Sequence, residues 1–401
     1  MKIHEVSLTE LKHIFLVGTH LHKYQGKFKS SVSKIFKSQG SVQYDPLNPA
    51  GRYHDHFFCS RIQNYQQGDY ENEVYKKKLV FEYYNPNLCG ISIENFPYFW
   101  NAMKYSLLHP FYRSRIDKLK NHRPNILDDV LDYVKGNGKT TGKDLANLGK
   151  AHESYASWKS TRVSSSVLEY LWLMGNLAIV DRNHLFQKTY DTIERYVPKK
   201  FRFKENLNQE MFSFRRFLLK HKSYPVINMG SIKMKEKKPI FGKKKGFSHN
   251  WIEYEDFPSI AQLKGTNRGF LIPRNYEELL NQEVYDDHMR IVGVLDPIIW
   301  DRELAKFIFG FDYTWEVYKK EKDRIWGYYV LPLLYKGEFV GRLEGKLENN
   351  KSVDNKILKI FNIKLEKRKK FNKDEQQAFE DLIERWRIMT QADEVNFDRN
   401  I

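Results

Sequence analysis

Apolar residues at the start of the chain recur every three or four positions. Leu8, Leu11, Phe15 and Leu16 fall on one face of a helix, with Ser7 placed as N-cap and Glu10 at the third helical position of a capping box. A second helix is predicted around Val32–Phe36, closed by Gly40. The period then changes to two over Ser41-Val42-Gln43-Tyr44-Asp45, which predicts a strand. Helix, helix and strand in that order begin a winged-helix unit.

The clearest such unit is expected between Pro124 and Tyr190. Ile126, Val130, Leu131 and Val134 form the apolar stripe of a helix that should stop at Gly136, and Thr141–Leu145 should open a short second helix. A third helix, from about Val163 to Gly175, carries Val167, Leu168, Leu171 and Trp172. Leu177–Val180 and Leu185–Tyr190 read as a β-hairpin turning at Asp181-Arg182-Asn183-His184. Three helices closed by a hairpin make a winged helix-turn-helix, an arrangement that usually binds DNA and sometimes serves protein contacts.

Asn208–Lys222 has a helical pattern, and a third, degenerate winged helix is expected after it. From Asp296 the texture changes. Tyr328–Tyr335, Glu338–Leu343 and Ile357–Ile363 predict a meander turning at Lys336-Gly337. Asn372 and Glu375 then cap a closing helix with Phe379, Leu382, Ile383 and Trp386 on one face. The expected architecture is α+β: tandem winged helix-turn-helix motifs, then a C-terminal antiparallel sheet or partial barrel and a terminal helix. Its regions are 1–123, 124–200, 201–290 with a basic insert, and 291–401.

Composition narrows the partner. The 401 residues carry 67 basic and 50 acidic side chains, a formal charge of +17, with 41% hydrophobic and 15% aromatic residues. That describes a folded protein suited to a polyanion, with nucleic acid ahead of an anionic membrane surface. No apolar run reaches the ~18–20 residues that span a bilayer, and the first residues lack the apolar core of a signal peptide. Two cysteines, Cys59 and Cys89, provide neither a disulfide framework nor a cysteine-rich metal site. The expectation is a cytoplasmic, nucleoid-associated monomer. Between Lys233 and Lys245 there are seven lysines and one glutamate, a run that suits either a solvated loop or a clamp on a phosphate backbone.

Candidate chemistry centres on Gln43 and Asp45. On a strand, alternate side chains share a face, so the amide and the carboxylate would look the same way while Tyr44 points into the core. Pro46 cannot donate to a ladder and should end the strand, leaving the pair at an exposed lip able to grip a water or a sugar. Gln-x-Asp before Pro is also an ordinary strand-to-turn composition. Gly136–Thr141 has glycine and lysine in the manner of a phosphate loop, but Tyr133 stands where the first glycine belongs, and a turn is expected. His54, His56 and Cys59 have metal-like spacing without an evident fourth ligand. On a strand face with Arg52, His54 and His56 would instead line a DNA path.

These pieces resemble the YcaQ/AlkZ family of winged-helix DNA glycosylases. The resemblance is carried by Val42–Asn48 with Arg52 and His54, by Ser60-Arg61-Ile62, Phe81-Glu82-Tyr83 and Leu168–Leu171, and by Lys188–Arg195 around the wing. Toward the end it continues through Asp296-Pro297, Trp300-Asp301-Arg302, Phe309–Tyr313, Glu316-Val317-Tyr318, Gly327–Pro332 and Gly341-Arg342. It implies tandem winged helices around a concave DNA channel and catalysis by a Gln-aromatic-Asp pair, here Gln43-Tyr44-Asp45. The implied substrate is double-stranded DNA bearing alkylated or crosslinked purines, attacked without metal or cofactor. The DNA-facing set expected is Arg52, His54, Arg61, Arg162, Ser164, Ser165, Arg182, His184 and Lys188. A non-catalytic winged-helix regulator is the rival class. A nuclease is a further rival, but it needs clustered carboxylates for metal.

Overall fold

The computed structural model describes residues 3–24, 28–105, 110–156, 162–183, 185–202, 217–220, 225–232, 258–283, 286–350, 355–366 and 370–398. They divide into two units. One comprises 1–39, 43–70 and 217–401, the other 40–42 and 71–216.

The larger unit begins with the strand Ile3–Val6, which lies parallel to Ser259–Leu263. Gly269–Ile272 runs antiparallel beside Ser259–Leu263 and carries the short strand Ile227–Asn228 on its far side. The first helix, Leu8–Gly18, has the expected capping box: the Glu10 N–H donates to the Ser7 Oγ at 3.1 Å and the Ser7 N–H to Glu10 Oε2 at 2.7 Å. Leu11, Ile14, Phe15 and Leu16 are buried with Phe270, Val292, Ile298, Leu304 and Phe309 in one core. Leu8 is exposed, so the apolar face is turned slightly from the one the spacing predicts. The second helix runs Phe28–Gln39 and gives way at Gly40, whose φ of 73° suits glycine.

The C-terminal sheet has five strands in the order Arg290–Ile291, Leu331–Tyr335, Glu338–Asn350, Asn355–Leu365 and Glu394–Phe397. Its hairpin turns at Lys336-Gly337, both with positive φ, as a two-residue turn that matches strand twist requires. The meander is as expected, but the sheet is neither purely antiparallel nor a barrel among the described residues. After the helix Lys373–Thr390 the chain re-enters beside Asn355–Leu365 in parallel, because a helical crossover returns a strand in that direction. That helix has the expected Asn372–Glu375 capping box and buries Phe379, Leu382, Ile383 and Trp386.

The smaller unit holds a three-stranded sheet in the order Ser41–Gln43, Leu88–Ser92, Val80–Tyr84, and the helices Phe96–Tyr105, Pro110–His122, Ile126–Asn137 and Val163–Leu173. Helix Ile126–Asn137 passes Gly136 and is capped by Gly138. The short helix expected from Thr141 is instead a turn, whose Thr141 N–H donates to Asp144 at 2.7 Å, followed by a single 3-10 turn at Ala146–Leu148. Gly136–Thr141 forms a helix end and no phosphate loop. The hairpin pairs Leu177–Arg182 with Lys188–Thr192, so its turn lies later than the sequence indicates. Thr140 bridges to Tyr190 and extends that ribbon by one contact. Of the helix expected over Asn208–Lys222, only 217–220 are described, and these are helical. The insert Lys233–Lys245 and His184 lie outside the described residues.

Candidate active site

The strand predicted to carry both Gln43 and Asp45 ends at Gln43. Gln43 is half-buried, Tyr44 is buried as expected, and Asp45 lies two residues beyond the strand at only 4% exposure. The exposed lip with two side chains sharing a strand face is therefore corrected. Asp45 opens a turn instead: its Oδ1 accepts the Leu47 N–H at 3.1 Å, the local bond that makes Asp a turn initiator.

The turn is pinned from several directions within the larger unit. Asn48 Oδ1 accepts the Gly51 N–H at 3.0 Å, and Gly51 takes a φ of 104° that only glycine adopts readily. The Pro49 carbonyl accepts from the Leu347 N–H at 2.6 Å, and the Ala50 carbonyl from Trp386 Nε1 at 2.8 Å. Strand Glu338–Asn350 and helix Lys373–Thr390 thus each hold one carbonyl of the loop that presents Asp45. On the other side, the Tyr44 hydroxyl meets the Tyr70 hydroxyl at 2.7 Å, and the Tyr44 ring stands edge-on to His54, centroids 5.5 Å apart.

The second bond to Asp45 comes from far along the chain. Tyr329 Oη donates to Asp45 Oδ2 at 3.1 Å, and the tyrosine is itself fully buried. Burial pushes the Asp45 carboxyl above its ordinary value, while the Leu47 N–H, the Tyr329 hydroxyl and the positive potential of His54 pull it back. Each carboxylate oxygen has two lone pairs, so the two neutral donors leave capacity for a water. Tyr329 also borders a groove of about 570 Å³, lined in part by Pro49, Arg324, Trp326, Tyr328 and Lys364.

Arg52, His54 and His56 do not share a strand face. Residues Tyr53–Cys59 form a helix, with the Arg52 N–H donating to Asp55 Oδ2 at 3.0 Å and Asp55 also accepting from Tyr65 and Gln67. Arg52, His54 and His56 are all buried, and burial drops the His56 imidazole to about 3, so it stays neutral. Arg61, expected on DNA, is fully buried in a bidentate pair with Asp296 at 2.8 and 3.0 Å. A guanidinium so enclosed is not presented to a phosphate.

In the smaller unit Arg182 is likewise committed. It forks onto Glu82 at 2.5 and 2.8 Å with both side chains buried, so the guanidinium does not project from the hairpin. Lys188 lies over the Trp172 ring at 4.8 Å, and its ammonium is lowered by desolvation. Ser164 is buried and donates to the Gly142 carbonyl at 3.0 Å, Ser165 is half-buried, and Arg162 is exposed ahead of helix Val163–Leu173.

The family model described as DNA glycosylase AlkZ-like matches residues 36–218 and 259–387. The chain belongs to the AlkZ-like DNA glycosylase family. The matched spans include Gln43, Asp45 and Tyr329, and membership makes the protein a DNA glycosylase, a DNA-repair enzyme. Among solved structures, Streptomyces sahachiroi DNA glycosylase AlkZ is similar, with a TM-score of 0.55 at 12% identity, over 98% of this chain and 99% of that one. At that identity the likeness carries the fold. Among the described residues no helix is long and apolar enough to cross a membrane.

Tyr329 was invisible to sequence spacing, since it lies 284 positions from Asp45. The one signal that touches it is the stretch Gly327–Pro332, which is among the pieces that carry the family resemblance.

Proposed function

We propose that this glycosylase hydrolyses the N-glycosidic bond of N7-alkylated purines in duplex DNA, including bulky and interstrand-crosslinked ones, with Asp45 and Gln43 as its catalytic pair. The observation that carries the reading is the buried Asp45 carboxylate, held by two neutral donors beside half-buried Gln43. An N7-alkylated guanine is already cationic, so the base departs neutral and needs no acid. What the reaction requires is a placed water and negative charge facing the oxocarbenium-like sugar. In this reading Gln43 holds the water through its amide. Water oxygen bonds to C1′, the C1′–N9 bond breaks with its electrons going to the base, and Asp45 takes the water's proton. The product is an abasic site in an unbroken strand.

A crosslinked base cannot be swung into a tight pocket, because the other strand is attached to it. The usual extrusion into a closed pocket gives way to attack in an open channel. Residues 124–200 act in this reading as a winged helix-turn-helix on DNA. The order of helix Ile126–Asn137, turn, helix Val163–Leu173 and hairpin supports it, as does Arg162 at the helix start. Single-turnover base release from an N7-methylguanine duplex, with and without a crosslink, tests the whole reading. Tight binding to one operator sequence with no base released would hand the case to a regulator.

A further inference from the structure

Five successive backbone N–H groups ahead of strand Leu331–Tyr335 are taken up by only two side chains. Glu316 Oε2 accepts from Ile325, Trp326 and Gly327 at 2.9, 2.7 and 3.3 Å. Glu344 Oε1 accepts from Tyr328 and Tyr329 at 2.8 and 2.6 Å. Both glutamates are buried. Burial opposes the ionisation of Glu316, but Lys319 and the three N–H donors outweigh it and hold the carboxyl at about 2. Gly327, with a φ of 142°, lets Glu344 approach: a Cβ there would lie 2.0 Å from Glu344 Oε2. Trp326 is fixed under the Arg342 guanidinium at 3.7 Å, and its carbonyl accepts from Asn362 Nδ2 at 2.5 Å. A segment with no regular secondary structure over residues 325–329 is thus locked residue by residue, and its last side chain ends on Asp45.

We infer that Tyr329 is a positioning residue for the Asp45 carboxylate, itself held by the paired glutamates Glu316 and Glu344. This rests on the reading of Asp45 as the group that takes the water's proton. The Tyr329 hydroxyl fixes Oδ2 while the Leu47 N–H fixes Oδ1, so the carboxylate plane has one orientation. A bond that strengthens with negative charge on the acceptor also favours the ionised form that the reaction needs. The phenol remains a neutral donor throughout, because burial first and the Asp45 charge second raise it well above its ordinary value. The other titratable groups around the pair are His54, which faces Asp45 from helix Tyr53–Cys59, and Tyr53 and Tyr313, which face Tyr329. Burial raises Tyr313 as well, and among these groups His54 is the one whose charge bears directly on the Asp45 carboxyl.

The test is the pH profile of single-turnover N7-methylguanine release by the full chain and by Tyr329→Phe, Glu344→Gln and Asp45→Asn. Tyr329→Phe keeps the ring and removes only the donor. It should lower the rate at neutral pH by about 10–100-fold, move the acid limb to higher pH, and leave DNA affinity unchanged. Glu344→Gln should move the limb the same way by less, and a folded variant with the parent's limb removes Glu344 from the assignment. If Asp45→Asn abolishes release but Tyr329→Phe keeps the limb where it was, the positioning role is overturned and the active-site reading survives. If Asp45→Asn releases base like the parent, the active-site reading fails and this inference goes with it.

Discussion

Arg61 and Asp296 stand 235 positions apart in the chain and meet as a two-pronged ion pair with neither side chain exposed. The guanidinium also donates to the carbonyls of Thr19 at 2.7 Å and Phe57 at 2.9 Å and lies over the Phe57 ring. Asp296 in turn accepts the Ile298 N–H and starts the short helix Pro297–Trp300. Thr19, at the end of the first helix, helix Tyr53–Cys59 and the 296–300 turn are therefore fastened at one point, which fixes the base of the helix that follows the Asp45 loop.

Removing one member of that pair leaves a buried charge without its partner. Arg61→Met is expected to cost about 3–5 kcal/mol of stability, and Arg61→Met with Asp296→Leu to recover part of the loss. Denaturant unfolding of the three proteins measures this. A single variant within 1 kcal/mol of the parent would show that the pair is not what fastens these elements.

The capping boxes at Ser7–Glu10 and Asn372–Glu375 and the turn at Lys336-Gly337 were legible because their determinants lie within four residues of each other. Helix Tyr53–Cys59 was not, since nearly every side chain in it is buried and no polar face marks a helical period. Reading it as a strand placed His54 and His56 on a DNA path, whereas the Asp55 cap makes it helical. Arg61 and Arg182 read as cations for a polyanion, yet each is closed by a carboxylate: Asp296 and Glu82. Charge counts cannot distinguish a guanidinium bound for phosphate from one bound for a buried carboxylate. The same holds for Tyr329 and for the parallel pairing of Ile3–Val6 with Ser259–Leu263, where partners hundreds of residues apart leave no local periodicity.

Arg162 and Arg182, both in the smaller unit, should consequently behave differently. Arg162→Ala is expected to flatten the salt dependence of DNA binding by roughly one unit, as loss of one phosphate contact does, with stability unchanged. Arg182→Ala should leave Glu82 buried and unpaired and lower stability by several kcal/mol, about 3–5. Titrations across salt, paired with thermal melts, separate the two. A flattened slope in a fully stable Arg182→Ala protein would return that residue to the DNA interface.

Asp45 should also leave a mark on stability against pH. Its folded-state carboxyl is raised by burial, so its favourable contribution is present below the unfolded value and is lost as pH rises through the folded one. Asparagine does not titrate. The melting temperature of Asp45→Asn relative to the parent should therefore rise as the pH is taken from acid to neutral. A difference that is constant across that range, or that falls, would contradict the direction of the shift.

Substrate choice is the most direct test of the proposed chemistry. Asp45→Asn and Gln43→Ala should each cut single-turnover release of N7-methylguanine by ~10²–10⁴ while DNA affinity stays near that of the parent. The parent should leave undamaged guanine, uracil and 8-oxoguanine in place, because a Gln–Asp pair supplies a water and a negative charge but no acid to protonate a neutral leaving base. Chelators should not inhibit, and the product strand should stay intact until heated or treated with alkali. Efficient uracil release would require an acid that this pair does not contain. Scission abolished by EDTA would point to metal-assisted phosphodiester cleavage. Either result overturns the assigned chemistry, since uracil needs activation of the leaving base that this pair does not supply, and strand scission needs attack at phosphorus instead of at the sugar.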